Sequence, residues 1–196
     1  MWRDDFFGRA GVGLCEDSLV ELPKLGREPV PITVACTAMS DIERESLLEF
    51  LQRQRDLVAW KVQGGDEEAL RAVGTASGLT AQGVVNHLTN CERGWFRQTF
   101  ADQPDLTFDF TDEDDDGDFK VPDDVPMAQL LASYAAEQKR CDEVILAVDA
   151  LDQKAVHRDR TLRWILLHLI EETARHLGQL DLLREQADGV TGERPD

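Results

Sequence analysis

A chain of 196 residues with 42% hydrophobic content is long enough for one domain with a real core plus appendages. Its formal net charge of −18 argues against nucleic acid as a partner, because no basic stripe is present to neutralise phosphates, and equally against an anionic membrane surface. Much of that charge falls in a single segment, so it describes a loop more than a binding face.

Residues 1–38 mix Gly, Pro and scattered apolar side chains without a sustained period, which predicts an irregular or disordered N-terminal extension. Met39 opens the first periodic segment, and we expect the native start there, with residues 1–38 as an upstream extension. The first long helix is predicted over about Asp41–Gln63, with Leu47, Leu51 and Val58 inward and Gly64–Gly65 as its stop. A short helical turn follows at Glu67–Ala72. The second long helix starts near Thr80, a good N-cap, and runs to about Phe100 with Val84, Leu88, Cys91 and Trp95 on its buried face.

An acidic connection, 101–125, comes next. Asp112, Asp114, Asp116, Gly117, Asp118 and Asp123 imitate the opening of a calcium loop. Lys120 at a ligand position, Pro122 where an exiting helix should begin, and a non-helical TFDF segment before it argue instead for a solvated acidic loop. The third long helix is predicted from Pro126 to about Ala150, with Leu130, Tyr134, Cys141, Val144 and Val148 inward. The fourth runs from Thr161 to just before Gly189. No alternating apolar pattern of any length occurs, so the chain reads as all-α: a four-helix bundle over residues 39–192, a long crossover between its second and third helices, and a tail at 193–196.

The last helix carries the chemistry. Leu162, Leu166, Leu169, Thr173, Leu177, Leu180 and Leu183 form its apolar stripe, with His176 inside that stripe, Glu172 at its margin and His168 just outside. A carboxylate four residues before an imidazole on a core-facing stripe is costly to bury unless something binds the pair. His87, on the second long helix, can meet both if those helices are neighbours. Two imidazoles and one carboxylate suit a divalent cation, Zn²⁺ first, with a coordination position left open. His168, also four residues from Glu172, is an additional candidate ligand; His157 is expected in a solvent-facing loop. The competing reading makes each histidine a hydrogen-bonded core side chain and pairs Glu172 with Arg175 or another cation. Glu92, Arg93, Trp95, Phe96 and Trp164 either line a substrate mouth or pack in the core, and core is the commoner fate of aromatics at helical spacing. The sequence holds no Ser-His-Asp arrangement, phosphate loop or dinucleotide fingerprint.

The segments LLEFLQRQRDLV (47–58), GLTAQGVVNHLTNCERGWF (78–96) and LRWILLHLIEETARHLGQLDLLRE (162–185) resemble the DinB-like superfamily of metal-binding four-helix bundles, nearest its "mini-circle protein" branch. The resemblance covers about Asp41 to Gly192. It implies one ligand from the N-H-L segment, here His87, and two more four apart on the last helix, here Glu172 and His176, the second within H-x-G-Q ending at Gln179. Many relatives carry histidine at the position of Glu172, whereas the mycothiol-dependent maleylpyruvate isomerases, a more distant likeness, carry glutamate.

The implied function is a metal-dependent, low-molecular-weight-thiol-dependent S-transferase or isomerase. Its ion would be Zn, or else Ni, Mn or Fe, and its partners a small-molecule thiol and an electrophile. The rival reading is a non-catalytic, metal-stabilised bundle that binds other molecules, for which Cys91 or His168 would serve as a fourth ligand. Cys15, Cys36, Cys91 and Cys141 lack C-x-x-C spacing, and neither a secretory segment nor an 18-residue apolar run is present, so reduced thiols and a cytoplasmic location are expected. A homodimer through the outer helix faces is a further candidate assembly.

Overall fold

Helix α1 spans Ile32–Gln63 in the computed structural model, which describes residues 32–156 and 158–192, with side chains from Asp41 onward. The helix starts nine residues before the expected Asp41 and passes straight through Met39. Polar Asp41 and Arg44 do not interrupt it, because neither residue type breaks a helix interior and apolar spacing alone marks only the packed part. The expectations for residues 1–31, the side chains of Cys15 and Cys36, His157 and the tail 193–196 fall outside the described residues.

Gly64–Gly65 ends α1 as expected, and the following Asp66 caps α2 (Glu67–Ala72), its carboxylate accepting from the backbone N–H of Glu68 and Ala69. Thr80 caps α3 (Ala81–Glu92) through Gly83 N–H. From Arg93 to Phe100 the same rod continues as a π-helix. A single 3₁₀ turn, Gly117–Phe119, punctuates the 101–126 connection. Helix α4 is Met127–Leu146, ending four residues short of the predicted Ala150, though Val148 beyond it remains buried. Helix α5 is Leu162–Asp188, capped by the Thr161 hydroxyl at its start and closed by Gly189 at φ 77°, a left-handed position that suits glycine.

Four long helices therefore form an all-α bundle, with no strand among the described residues beyond two isolated bridges. Its apolar interior falls into two clusters. Leu51, Phe96, Ile145, Leu162, Leu166 and Leu169 make one; Val58, Val84, Leu88, Tyr134, Leu180 and Leu183 belong to the other. Along every long helix a buried polar side chain lies between them in the chain: Arg55 on α1, Glu92 on α3, Glu137 on α4, and Thr173 with His176 on α5.

Each buried acid in this belt is met by cations. Arg55 Nε and Nη2 donate to the two oxygens of Glu92 at 2.7 and 2.6 Å, with 2% and 1% of the side chains exposed, and Arg55 Nη1 reaches Asp142 at 2.8 Å. Glu137 receives Arg93, Arg97 and Arg140. Glu92 is thus closed inside the bundle and does not line a substrate mouth, and Phe96 is wholly buried. No helix among the described residues is long and apolar enough to cross a membrane.

Arg55→Met should cost about 3–5 kcal/mol of unfolding free energy, because it strands the Glu92 carboxylate in the core, whereas Arg55→Met with Glu92→Leu should recover most of that loss. Urea denaturation of the two variants checks this; equal destabilisation by both would show that the charges are not what the site demands.

Candidate metal centre

Helices α3 and α5 face each other over the stretch where the sequence places its histidines. His87 projects from the middle of α3, one turn before Cys91, and Glu172 and His176 project from α5 one turn apart, so all three point into the same seam. Glu172 Oε1 lies 3.4 Å from His87 Nε2 and 3.2 Å from His176 Nε2. One donor atom from each of the three residues lies within 4.8 Å of the others. The rings of His87 and His176 stand 4.7 Å apart at 58°.

The second nitrogen of each ring is held from outside. His87 Nδ1 is 2.9 Å from Asp118 Oδ2, and His176 Nδ1 is 2.7 Å from Gln179 Oε1. An amide oxygen accepts only, so His176 Nδ1 carries a proton, and Nε2 is the ring nitrogen that a cation would take. Asp118 acts on His87 in the same sense. Outer partners that fix the tautomer and aim the ring are characteristic of metal-binding histidines.

The donor set fits a divalent cation. Nitrogen and oxygen ligands at ~2.0–2.1 Å in a tetrahedral shell stand roughly 3.3 Å apart, close to the separations of 3.4 and 3.2 Å found here. Without a cation the cluster rearranges its charge. Burial opposes the charged form of His87, but its hydrogen bonds to Asp118, Cys91 and Glu172 outweigh it and raise the imidazole to about 11. Hydrogen bonds from His176 and His87 hold the Glu172 carboxyl well below the usual carboxylate range despite partial burial. A bound cation needs a neutral imidazole at His87, so its entry expels a proton.

Asp118 and Phe119 are absent from the sequence-based site. Asp118 is 1% exposed and its Oδ1 has no hydrogen-bond partner, while the Phe119 ring stacks on His87 at 4.1 Å and 16°. The reading of 101–125 as a solvated acidic loop is corrected here: its tip is solvated, with Asp114 bound to Lys120, but Gly117 and Asp118 are buried against α3. The amides of Asn86 and Asn90 pin the segment through Asp109, and Asn86 also donates to the Asp118 carbonyl. Two glycines let the backbones meet. A Cβ at Gly83 would lie 2.4 Å from the Phe119 carbonyl oxygen, and one at Gly117 the same distance from that of Asp109. Asn at both flanking positions, 86 and 90, was the available signal, since neither amide has use for an apolar face.

His168 is not brought into the cluster. Its ring stacks on Trp164 at 5.0 Å and 17° and meets the edge of Trp95 at 4.7 Å. Burial lowers its pKa. Arg158 and Arg160 lie over Trp95 and Trp164. This partly exposed aromatic row continues the seam one turn beyond Glu172. Cys91, expected on a buried face and weighed as a fourth ligand in the rival reading, has its Sγ 3.2 Å from His87 Nε2, and it and Cys141 are free thiols.

A family model described as Mycothiol-S-transferase matches residues 46–189. No curated protein and no solved structure matches the chain.

Because His87 gains an acidic partner on folding, the stability it contributes is complete below its unfolded pKa of ~6.5 and fades as pH rises through the folded value, about 11. In EDTA-treated protein, Asp118→Asn should therefore lower the His87 pKa and destabilise most near and below about pH 6, the two proteins converging at strongly alkaline pH. Imidazole NMR titration checks the shift; a wild-type His87 titrating at the ordinary value would contradict the arrangement.

Proposed function

The chain belongs to the mycothiol-S-transferase family, and from that premise we propose that it is a metal-dependent enzyme that transfers a low-molecular-weight thiol, mycothiol by family, to a small electrophile. The observation that carries the reading is the convergence of His87, Glu172 and His176, one donor atom of each within 4.8 Å of the others, with both imidazoles held from behind. His87, Glu172 and His176 are the ligands in this reading, and Zn²⁺ suits two imidazoles and a carboxylate best, with Ni, Mn or Fe as alternatives. His168 belongs to the approach and not to the ligand set.

A cation held there supplies the positive charge that keeps a thiol sulfur ionised at neutral pH. The protein's own residues do the rest. Asp118 and Gln179 keep the two Nε2 lone pairs pointed inward, and Phe119 shields one face of His87 from water. The aromatic row of Trp95, Trp164 and His168 offers a flat, partly dry wall beside the centre, where an apolar electrophile can lie. The thiol releases its proton to solvent, its sulfur forms the bond to the electrophilic carbon, and the displaced electron pair leaves with the departing group or moves onto the substrate. An isomerase would use the same first step and expel the thiol again. Free thiols at Cys91 and Cys141 agree with a reducing compartment, hence the cytoplasm.

The rival, a non-catalytic bundle held together by its metal, is favoured by one observation: Cys91 Sγ beside His87 Nε2. The two readings separate experimentally. His87→Ala and His176→Ala should each reduce bound metal, measured by ICP-MS, by more than the roughly 10–100-fold that loss of an outer hydrogen-bond partner costs; His157→Ala should retain it. Thiol-dependent turnover of an electrophile panel should vanish in the same two variants and on chelation, and return with Zn²⁺. Turnover that survives His176→Ala would remove the metal from the mechanism, and a chelator-sensitive fold with no turnover under any condition would favour the structural role.

A further inference from the structure

We propose that Cys91 is a fourth protein donor to the same cation, so that the resting centre is closed by two nitrogens, one oxygen and one sulfur and selects a thiophilic ion. The inference rests on His87, Glu172 and His176 being ligands, and it adds what fills the remaining position before substrate arrives. Cys91 follows His87 by one turn of α3, and its Sγ lies 3.2 Å from Nε2 of His87, the atom that is turned toward Glu172. Nitrogen at ~2.0–2.1 Å and sulfur at ~2.3 Å from a tetrahedral ion stand roughly 3.5 Å apart, so the contact already has nearly the separation of two ligands. The sulfur adjoins the set through His87 and lies outside the 4.8 Å grouping of the other three donors, so ligation requires a turn about its one side-chain torsion.

The thiol forms no disulfide and lies half-buried at the edge of the apolar cluster of Leu51 and Phe96, with His87 as its polar neighbour. On ligation Cys91 gives its proton to solvent and no electrons change hands. A thiolate in the set shifts preference away from Mn²⁺ and toward Zn²⁺, which narrows the choice of metal. It also joins the two rival readings. A sulfur donor at this position would hold the place that an incoming thiol needs, so one thiolate would replace another with no net change in charge.

The probe is Co²⁺ added to full-length, EDTA-treated protein and followed by absorption. Visible d–d bands report that the ion occupies the histidine–glutamate set, and they should disappear in His176→Ala. A near-ultraviolet sulfur-to-cobalt charge-transfer band reports the fourth donor. That band should be present in wild type and in Cys141→Ser, whose thiol is wholly buried elsewhere, and lost in Cys91→Ser while the d–d bands persist. The retained d–d bands show that Cys91→Ser is folded and loaded. Wild-type d–d bands without a charge-transfer band, or a charge-transfer band that survives Cys91→Ser, overturns the proposal and leaves the three-ligand reading standing. Absence of d–d bands in wild type overturns both.

Discussion

A carboxylate shared by two imidazoles across the α3–α5 seam is the constraint around which this bundle is organised. Burying an anion requires opposite charge or several donors close by. Elsewhere the protein supplies both: Glu92 has the Arg55 guanidinium, and Glu137 has three arginines. Glu172 is treated differently, for what reaches its Oε1 are the Nε2 atoms of two imidazoles, groups that bind either a proton or a cation. Helix α3 thus carries one acid paired with a guanidinium, whereas the acid in the α3–α5 seam is faced by two imidazoles. That asymmetry separates a structural pair from a candidate centre.

The neighbouring elements follow from it. A histidine that must present Nε2 needs its Nδ1 engaged, and the 101–126 connection answers by pressing Asp118 and Phe119 onto His87. The division of the apolar interior into two clusters follows as well, since the polar side chains between them cannot be absorbed by either. Proton affinity and cation affinity then become two faces of one property. The groups that raise His87 when no ion is present are those that would make its neutral nitrogen a stronger ligand once an ion is bound.

Much of this was legible in the sequence, and the reasons are specific. The spacing of Glu172 and His176 encodes a shared helix face, and Thr161, Thr80 and Gly189 announce helix ends through their capping chemistry. His87 came into view once an N-H-L segment was set beside the last helix. Two features were not legible. Helix α1 begins at Ile32, ahead of its first packed apolar residue, where periodicity is silent. Asp118 was hidden among the ten aspartates of residues 102–124, where composition predicts solvent for all of them. Only the tertiary approach of that loop to α3 distinguishes the one that is buried. His168 failed in the opposite way, because correct spacing from Glu172 says nothing of two tryptophans waiting to receive it.

The two glycines at the foot of the loop extend the centre beyond the residues that have chemistry to offer. At both 83 and 117 a single added methyl would run into a carbonyl oxygen of the opposing strand of chain. Either intrusion would lift Asp118 away and unclamp the ring it steadies, although every prospective ligand remained in place. What descendants of this protein must inherit to keep that clamp therefore includes two positions valued for carrying nothing.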